Sequence, residues 1–232
     1  MTLRIVALDR ADLAFTPWRW PFADEKRAAI DAHFAELRRR TPALWNGRVL
    51  LLRDAGFGDR SLTGTFFETD FASFLAWRNW GFPEAGAINC FAMGAIRSSD
   101  GAYLLGVMGP HTANAGRIYF PAGTPDPDDV VGSAVDLDGS VRREVAEETG
   151  LAPADFDARP GWTAVVEGPR IALMKLLQAR EPAAALRSRA LAHLAREAEP
   201  ELADVLVVAG RGDFPANMPA FVAAFLEREF PA

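Results

Sequence analysis

Short apolar blocks alternate along the chain with helical stripes, and turn-forming residues separate them. Apolar runs at 3–8, 47–53 and 61–67 predict strands, with a Pro- and Trp-rich turn at 17–21 and a helix over 24–40 between the first two. A helix follows over 70–80. Two longer apolar runs, 86–97 and 102–108, are joined by Ser98, Ser99, Asp100 and Gly101, a combination that predicts a hairpin turn. Further strands are predicted over 117–120, 162–166, 170–177 and 204–208, and further helices over 182–198 and 219–229. Mixed strands flanked by helices predict an α/β chain built as an α/β/α sandwich. Residues 1–84 are read as an N-terminal α/β extension packed on a core of residues 85–232.

One helix carries chemistry. Residues 143–151 read Arg-Glu-Val-Ala-Glu-Glu-Thr-Gly-Leu. Val141 and Val145 recur one turn apart as an apolar stripe, Asp136 or Asp138 can cap the start, and Gly150 can end the helix. Glu144, Glu147 and Glu148 then fall within an arc of ~100° and span ~6 Å of axis. At an effective dielectric of about 20, each pair of carboxylates about 6 Å apart repels by roughly 3 kcal/mol, so a purely structural helix gains nothing by clustering them. A divalent cation would relieve the repulsion. Ligands that are all oxygen suit a hard ion, Mg²⁺ or Mn²⁺, which keeps waters and shares phosphate oxygens with a substrate. Arg143 lies one turn before Glu147 and can hold that carboxylate in place.

Composition narrows the classes. The chain has 232 residues, half of them hydrophobic, enough for one large domain or a domain with an extension. A net charge of −6 argues against a nucleic-acid surface, which needs clustered Lys and Arg. A small anionic substrate is compatible. Lys occurs only at Lys26 and Lys175, so nearly all basic residues are Arg, the side chain suited to forked phosphate contacts. The lone Cys90 excludes an intrachain disulfide and, with only three His, disfavours a zinc site. The first 20 residues carry charges and only a short apolar run at 5–8, which predicts no secretory leader. No stretch approaches the ~18 apolar residues of a membrane span. The sequence therefore predicts a cytoplasmic protein that binds a small molecule and engages neither nucleic acid nor membrane. A homodimer is compatible with it.

The segment 143–151 resembles the second half of the Nudix box, Arg-Glu-apolar-x-Glu-Glu-x-Gly-apolar, with every specified position matched. On that ground the chain is similar to Nudix hydrolases. In that family the box opens with a glycine, five residues and an acid, and Gly123, residues 124–128 and Asp129 fit that opening. Two departures stand out: Asp129 occupies the position of the usual Glu, and residues 130–142 number thirteen where the family pattern has seven. The resemblance implies a Nudix-type α/β/α sandwich and Mg²⁺-dependent hydrolysis of a nucleoside diphosphate linked to another group. Glu144, Glu147 and Glu148 would be the metal ligands, Arg143 would orient them, and Gly123 would let the loop backbone approach phosphate.

The region around Pro42–Arg48 and Thr69–Trp80 is similar to the segment preceding the core in a Nudix branch acting on UDP-sugars. That implies ligand contacts from Trp45, Asn46 and Arg48. The stripe Phe71, Phe74, Leu75 equally suits packing of the extension on the core. Insertions in the box also occur in Nudix enzymes that cleave coenzyme A, and ADP-ribose or dinucleotides are further candidates. His111, just before the box loop, could contact a phosphate or base. Glu167, Glu197, Glu199 and Glu201 are downstream acids that could supply a base, although each alone reads as a solvated charge. A nucleotide-sensing Nudix module without catalysis is the alternative of another class. Clustered metal-binding carboxylates would have no use there.

Overall fold

A computed structural model describes residues 3–83 and 86–231. Its strands fall into two sheets, joined where Leu52 bridges Ile88. The strands β1 (Arg4–Leu8) and β2 (Arg10–Phe15) enter different sheets. Two helices, α1 (Pro21–Glu25) and α2 (Arg27–Arg40), stand where one was predicted over 24–40. Pro21 opens α1 at a position where its missing N–H is no loss, and Lys26 leaves helical geometry between the two. A long antiparallel hairpin follows, β3 (Arg48–Gly58) with β4 (Ser61–Asp70). It leads into α3 (Phe71–Asn79), whose first turn is capped by the Asp70 carboxylate accepting the Ser73 N–H at 2.9 Å.

The predicted central hairpin is β5 (Asn89–Arg97) and β6 (Tyr103–Met108), turned at 98–101. After β7 (Ile118–Tyr119) come the two-residue strands β8 (Val130–Val131) and β9 (Ala134–Val135), then α4 (Leu137–Thr149). The chain continues through β10 (Phe156–Ala158), β11 (Trp162–Glu167), β12 (Arg170–Ala179), α5 (Ala183–Leu194), β13 (Leu202–Val208) and α6 (Ala220–Glu229). No helix among the described residues is long and apolar enough to cross a membrane.

The larger sheet runs β1-β11-β12-β5-β6-β13, with β10 attached to β12 and β7 to β6. It is mixed, since β12 and β5 are parallel while β1 with β11 and β6 with β13 are antiparallel. Gly94 of β5 faces α4: a Cβ there would lie 2.5 Å from Val145 Cγ2, so the missing side chain lets the helix settle on the sheet. Phe91, three residues earlier and therefore on the other face, meets Phe221 of α6 with ring centroids 5.7 Å apart. With α5 packed along α4, the predicted α/β/α sandwich is present.

The smaller sheet runs β3-β4-β2-β9-β8. A second core attaches α1, α2 and α3 to it, with Trp20 edge-on to Trp77 at 5.7 Å and to Phe67 at 5.8 Å. The expected boundary at residues 84 and 85 lies outside the described residues. On either side of it the two parts interlock. From the N-terminal part, β1 forms one edge of the larger sheet. From the box insertion, β9 pairs with β2 and β8 forms an edge of the smaller sheet. Gly132, at φ 66°, makes the tight turn between these two strands.

One irregularity positions the site. The strands β5 and β6 pair at Arg97 with Tyr103 and then diverge. The segment after β6 returns into the gap: Tyr119 pairs with Gly106, and the Gly94 N–H donates to the Pro121 carbonyl at 2.9 Å. Residues 121–124 are thereby carried under α4. Because α4 seats on Gly94, Gly94→Ala should lower stability by about 1–3 kcal/mol through overpacking, a fall in Tm of roughly 3–10 °C in calorimetry. An unchanged Tm would show that α4 does not depend on this close approach.

Candidate functional site

The α4 helix forms for the reasons its sequence suggests. The Asp136 carboxylate accepts the Gly139 N–H at 2.9 Å as N-cap, Val141 and Val145 are buried, and Gly150 closes the helix at φ 67°. Asp138, the other candidate cap, instead pairs with the buried Lys175 at 3.0 Å. The three glutamates are graded by depth: Glu147 lies in solvent at 61% side-chain exposure, Glu144 is mostly covered, and Glu148 is 3% exposed. One Glu148 oxygen, Oε1, accepts the Ala122 N–H at 3.1 Å. The other, Oε2, is buried with no hydrogen-bond partner.

Arg143 was expected to hold Glu147, and that ion pair is present but is longer than two others. Its contact to Glu147 is 3.7 Å, whereas its hydrogen bonds go to Asp129 at 2.8 Å and Glu144 at 2.9 Å. The reason is long-range: the loop brings Asp129 against the helix, and a buried carboxylate draws the guanidinium more strongly than one in solvent. Asp129 also accepts the Ser140 hydroxyl at 3.0 Å and the Asp126 N–H at 3.1 Å. The shorter acid at this position is thus fully bonded, partly by Ser140 of α4. Burial lowers the proton affinity of Arg143, but the Asp129 hydrogen bond and the charges on Glu144, Asp129 and Asp126 outweigh it and raise it overall. Gly123 lies against Glu144; a Cβ there would sit 2.3 Å from Glu144 Oε1.

Burial, then the charges of Glu147, Glu201 and Asp129, push the Glu144 carboxyl up to about 7 against the opposing pull of Arg143. Burial also raises Glu148 well above the ordinary range, helped by Glu201 and Glu144 and opposed by the Ala122 N–H. Glu201, read from sequence as a solvated charge, therefore belongs to the cluster. It sits at the rim, just before β13, where the Gly109 N–H donates to its carbonyl at 2.8 Å. Although much of Glu201 is exposed, partial desolvation and then Glu147 push its carboxyl up, while His111 pulls it down. His111 thus stands beside the carboxylates as a candidate contact. Among the described residues, no three His, Cys, Asp or Glu side chains converge closely enough to hold a metal ion as they stand.

A cleft of about 730 Å³ opens beside this cluster. Its floor includes Tyr119, Ala122 and Gly123, aromatic walls come from Phe74, Phe91 and Phe221, and Arg78, Arg117 and Arg170 project onto it. Trp45, Asn46 and Arg48 do not line it. The Asn46 side-chain oxygen accepts the Ala72 N–H at 2.8 Å at the start of α3, Arg48 pairs with Glu68, and Trp45 is half exposed beside Phe71. The downstream acids divide: Glu167 pairs with Arg170 in the cleft wall, and Glu197 lies 3.3 Å from His193. The three cleft arginines escaped sequence reasoning because they come from α3, the approach to β7 and the start of β12. Only the preference for Arg over Lys hinted at them.

No protein-family model and no curated protein matches the chain. Among solved structures it is similar to RenU, a Nudix hydrolase from M. smegmatis, at 18% identity over 60% of this chain and 80% of that one, with a TM-score of 0.39. A MutT protein from Methanosarcina mazei Go1 aligns at 21% identity over 61% of this chain and 92% of that one, with a TM-score of 0.41. The Bacillus subtilis pyrophosphohydrolase BsRppH aligns at 15% identity over 55% of this chain and 65% of that one, with a TM-score of 0.32.

A carboxyl whose folded-state pKa is raised stabilises the fold while it is protonated, and that contribution is lost as pH rises from the ordinary carboxylate value through the folded one. For Glu144 that window ends near about 7. In metal-free buffer, Glu144→Gln should therefore gain on the order of 1–3 kcal/mol over the parent at pH 8 and little at pH 4.5, read by denaturant unfolding. A gain that is equal at both pH values would show that Glu144 carries no strained charge.

Proposed function

We propose that the chain is a metal-dependent Nudix-type pyrophosphohydrolase that cleaves a diphosphate bond in a nucleotide linked to another group. The observation that carries this is Glu148 Oε2, a buried carboxylate oxygen with no protein partner, on the helix turn that also bears Glu144. An unpartnered buried carboxylate costs several kcal/mol unless a ligand satisfies it. The set of oxygens fits a hard cation.

Glu148, Glu144 and Glu147 would hold Mg²⁺ or Mn²⁺. Such an ion, when bound, lowers the pKa of an attacking water and offsets charge on the diphosphate. The protein's own share is positional. Arg143 ties Glu144 to Asp129, so the helix and the box loop keep a fixed spacing. The Ala122 N–H fixes one oxygen of Glu148 and leaves the other without a protein partner. Aromatic cleft walls suit a nucleoside, whose base can lie against Phe74, Phe91 or Phe221. The substrate panel is UDP-sugars, coenzyme A, ADP-ribose and dinucleotides, and since Trp45, Asn46 and Arg48 lie outside the cleft none of them ranks first. A sensing module without catalysis would have no use for the unpartnered oxygen of Glu148.

Turnover of that panel with Mg²⁺ or Mn²⁺, followed by chromatography of the products, tests the reading. Glu148→Gln should lower kcat at least ~10²-fold on whichever substrate is cut while the protein stays folded. Metal-independent turnover, or a variant as active as the parent, would contradict it.

A further inference from the structure

The cleft concentrates positive charge in a chain whose net charge is −6. Arg78, Arg117 and Arg170 line it with a single carboxylate, Glu167, among them. Only Arg170 uses that carboxylate. Arg78 is met by neutral oxygens alone, Asn114 Oδ1 at 3.2 Å and Asn79 Oδ1 at 3.4 Å. Arg117 has no ion pair among the described residues. The three repel one another: burial first, then the charges on Arg170 and Arg117, hold Arg78 below the ordinary arginine value. Three guanidiniums gathered with one carboxylate among them are expected where an anion completes the set.

The forks are also held in place. The Arg78 guanidinium lies 5.6 Å over the Phe74 ring, and that of Arg170 lies 5.5 Å over Phe221 and 5.9 Å over Phe82. Rings that support the flat face of a guanidinium turn its N–H edge to other partners; on Arg78 those partners are two neutral amide oxygens, which an anion can outcompete. Two guanidiniums held in this way, with Arg117 beside them, match the several non-bridging oxygens of a phosphate better than the two oxygens of a carboxylate. The same cleft reaches Ala122 and Gly123, which touch Glu148 and Glu144.

We propose that Arg78, Arg117 and Arg170 form a phosphate-binding subsite that works without a metal ion and seats a phosphate of the substrate beside the carboxylates. Through Arg78, α3 of the N-terminal part takes a direct share in substrate recognition. The assignment of the bound phosphate to a substrate rests on the hydrolase reading above, whereas the anion site itself does not.

The test is calorimetric titration of the full chain in EDTA and low salt, with inorganic phosphate and with pyrophosphate as separate probes. Saturable binding is expected, weakened about tenfold by Arg78→Lys, which keeps the charge and loses the fork, and by Arg117→Gln. Arg196→Gln, an exposed control outside the cleft, should bind as the parent does. Stronger binding of pyrophosphate supports a subsite for the diphosphate itself, and equal binding supports one for a phosphomonoester. No saturable binding, or equal binding by parent and cleft variants, overturns the proposal. If Arg78→Lys fails to fold, the exposed Arg117→Gln decides alone. A chain that binds pyrophosphate through these arginines but cleaves nothing would refute the hydrolase reading and leave the subsite intact.

Discussion

Glu148 is buried against the loop with one oxygen bonded to the Ala122 N–H and the other bonded to nothing, and the site is organised around that carboxyl group. To bury it there, α4 must seat closely on the sheet, which requires the bare backbone at Gly94. The loop must also pass beneath the helix, which requires β5 and β6 to diverge after one pair and admit Pro121 between them. Arg143 and Ser140 then fasten Asp129, so loop and helix form one unit. None of these contacts relieves Glu148 itself. A fold that holds a carboxylate in this way stores unfavourable free energy at a chosen place, as sites that await a cation do.

The N-terminal part is structural and functional at once. With β1 at one edge of the larger sheet and β9 of the box insertion on the smaller one, neither part has a complete set of strands without the other. The insertion is therefore a tie between sheets. Ser140 of α4 meets the Asp129 carboxylate, which fastens the longer loop to the helix despite the shorter acid. The cleft lies where the two parts meet, with α3 contributing Phe74 and Arg78.

Much of this was legible because the signals were local. Caps, an apolar stripe and a closing glycine marked α4, and the turn at 98–101 marked the central hairpin. What was not legible is non-local or too short. Each of β8 and β9 has two residues, below any periodic pattern. Arg143 was assigned to the carboxylate one turn away, but its stronger partner, Asp129, lies fourteen residues earlier in the chain and reaches it through the loop. The Asn46 side chain accepts a backbone N–H of α3 from 26 residues away, a contact no local pattern announced. Glu201 and the cleft arginines carry no motif, and only the sheet topology brings them to the site.

The central claim is that the strained carboxylates of α4 are a cation site. Titration of the metal-free chain with Mn²⁺, followed by electron paramagnetic resonance and by Tm, tests this without needing a substrate. The account predicts saturable Mn²⁺ binding that raises the Tm of the parent, with binding weakened at least tenfold in Glu148→Gln although that variant is folded and at least as stable when metal-free. Equal Mn²⁺ binding by parent and variant, or no binding by the folded parent, would contradict it.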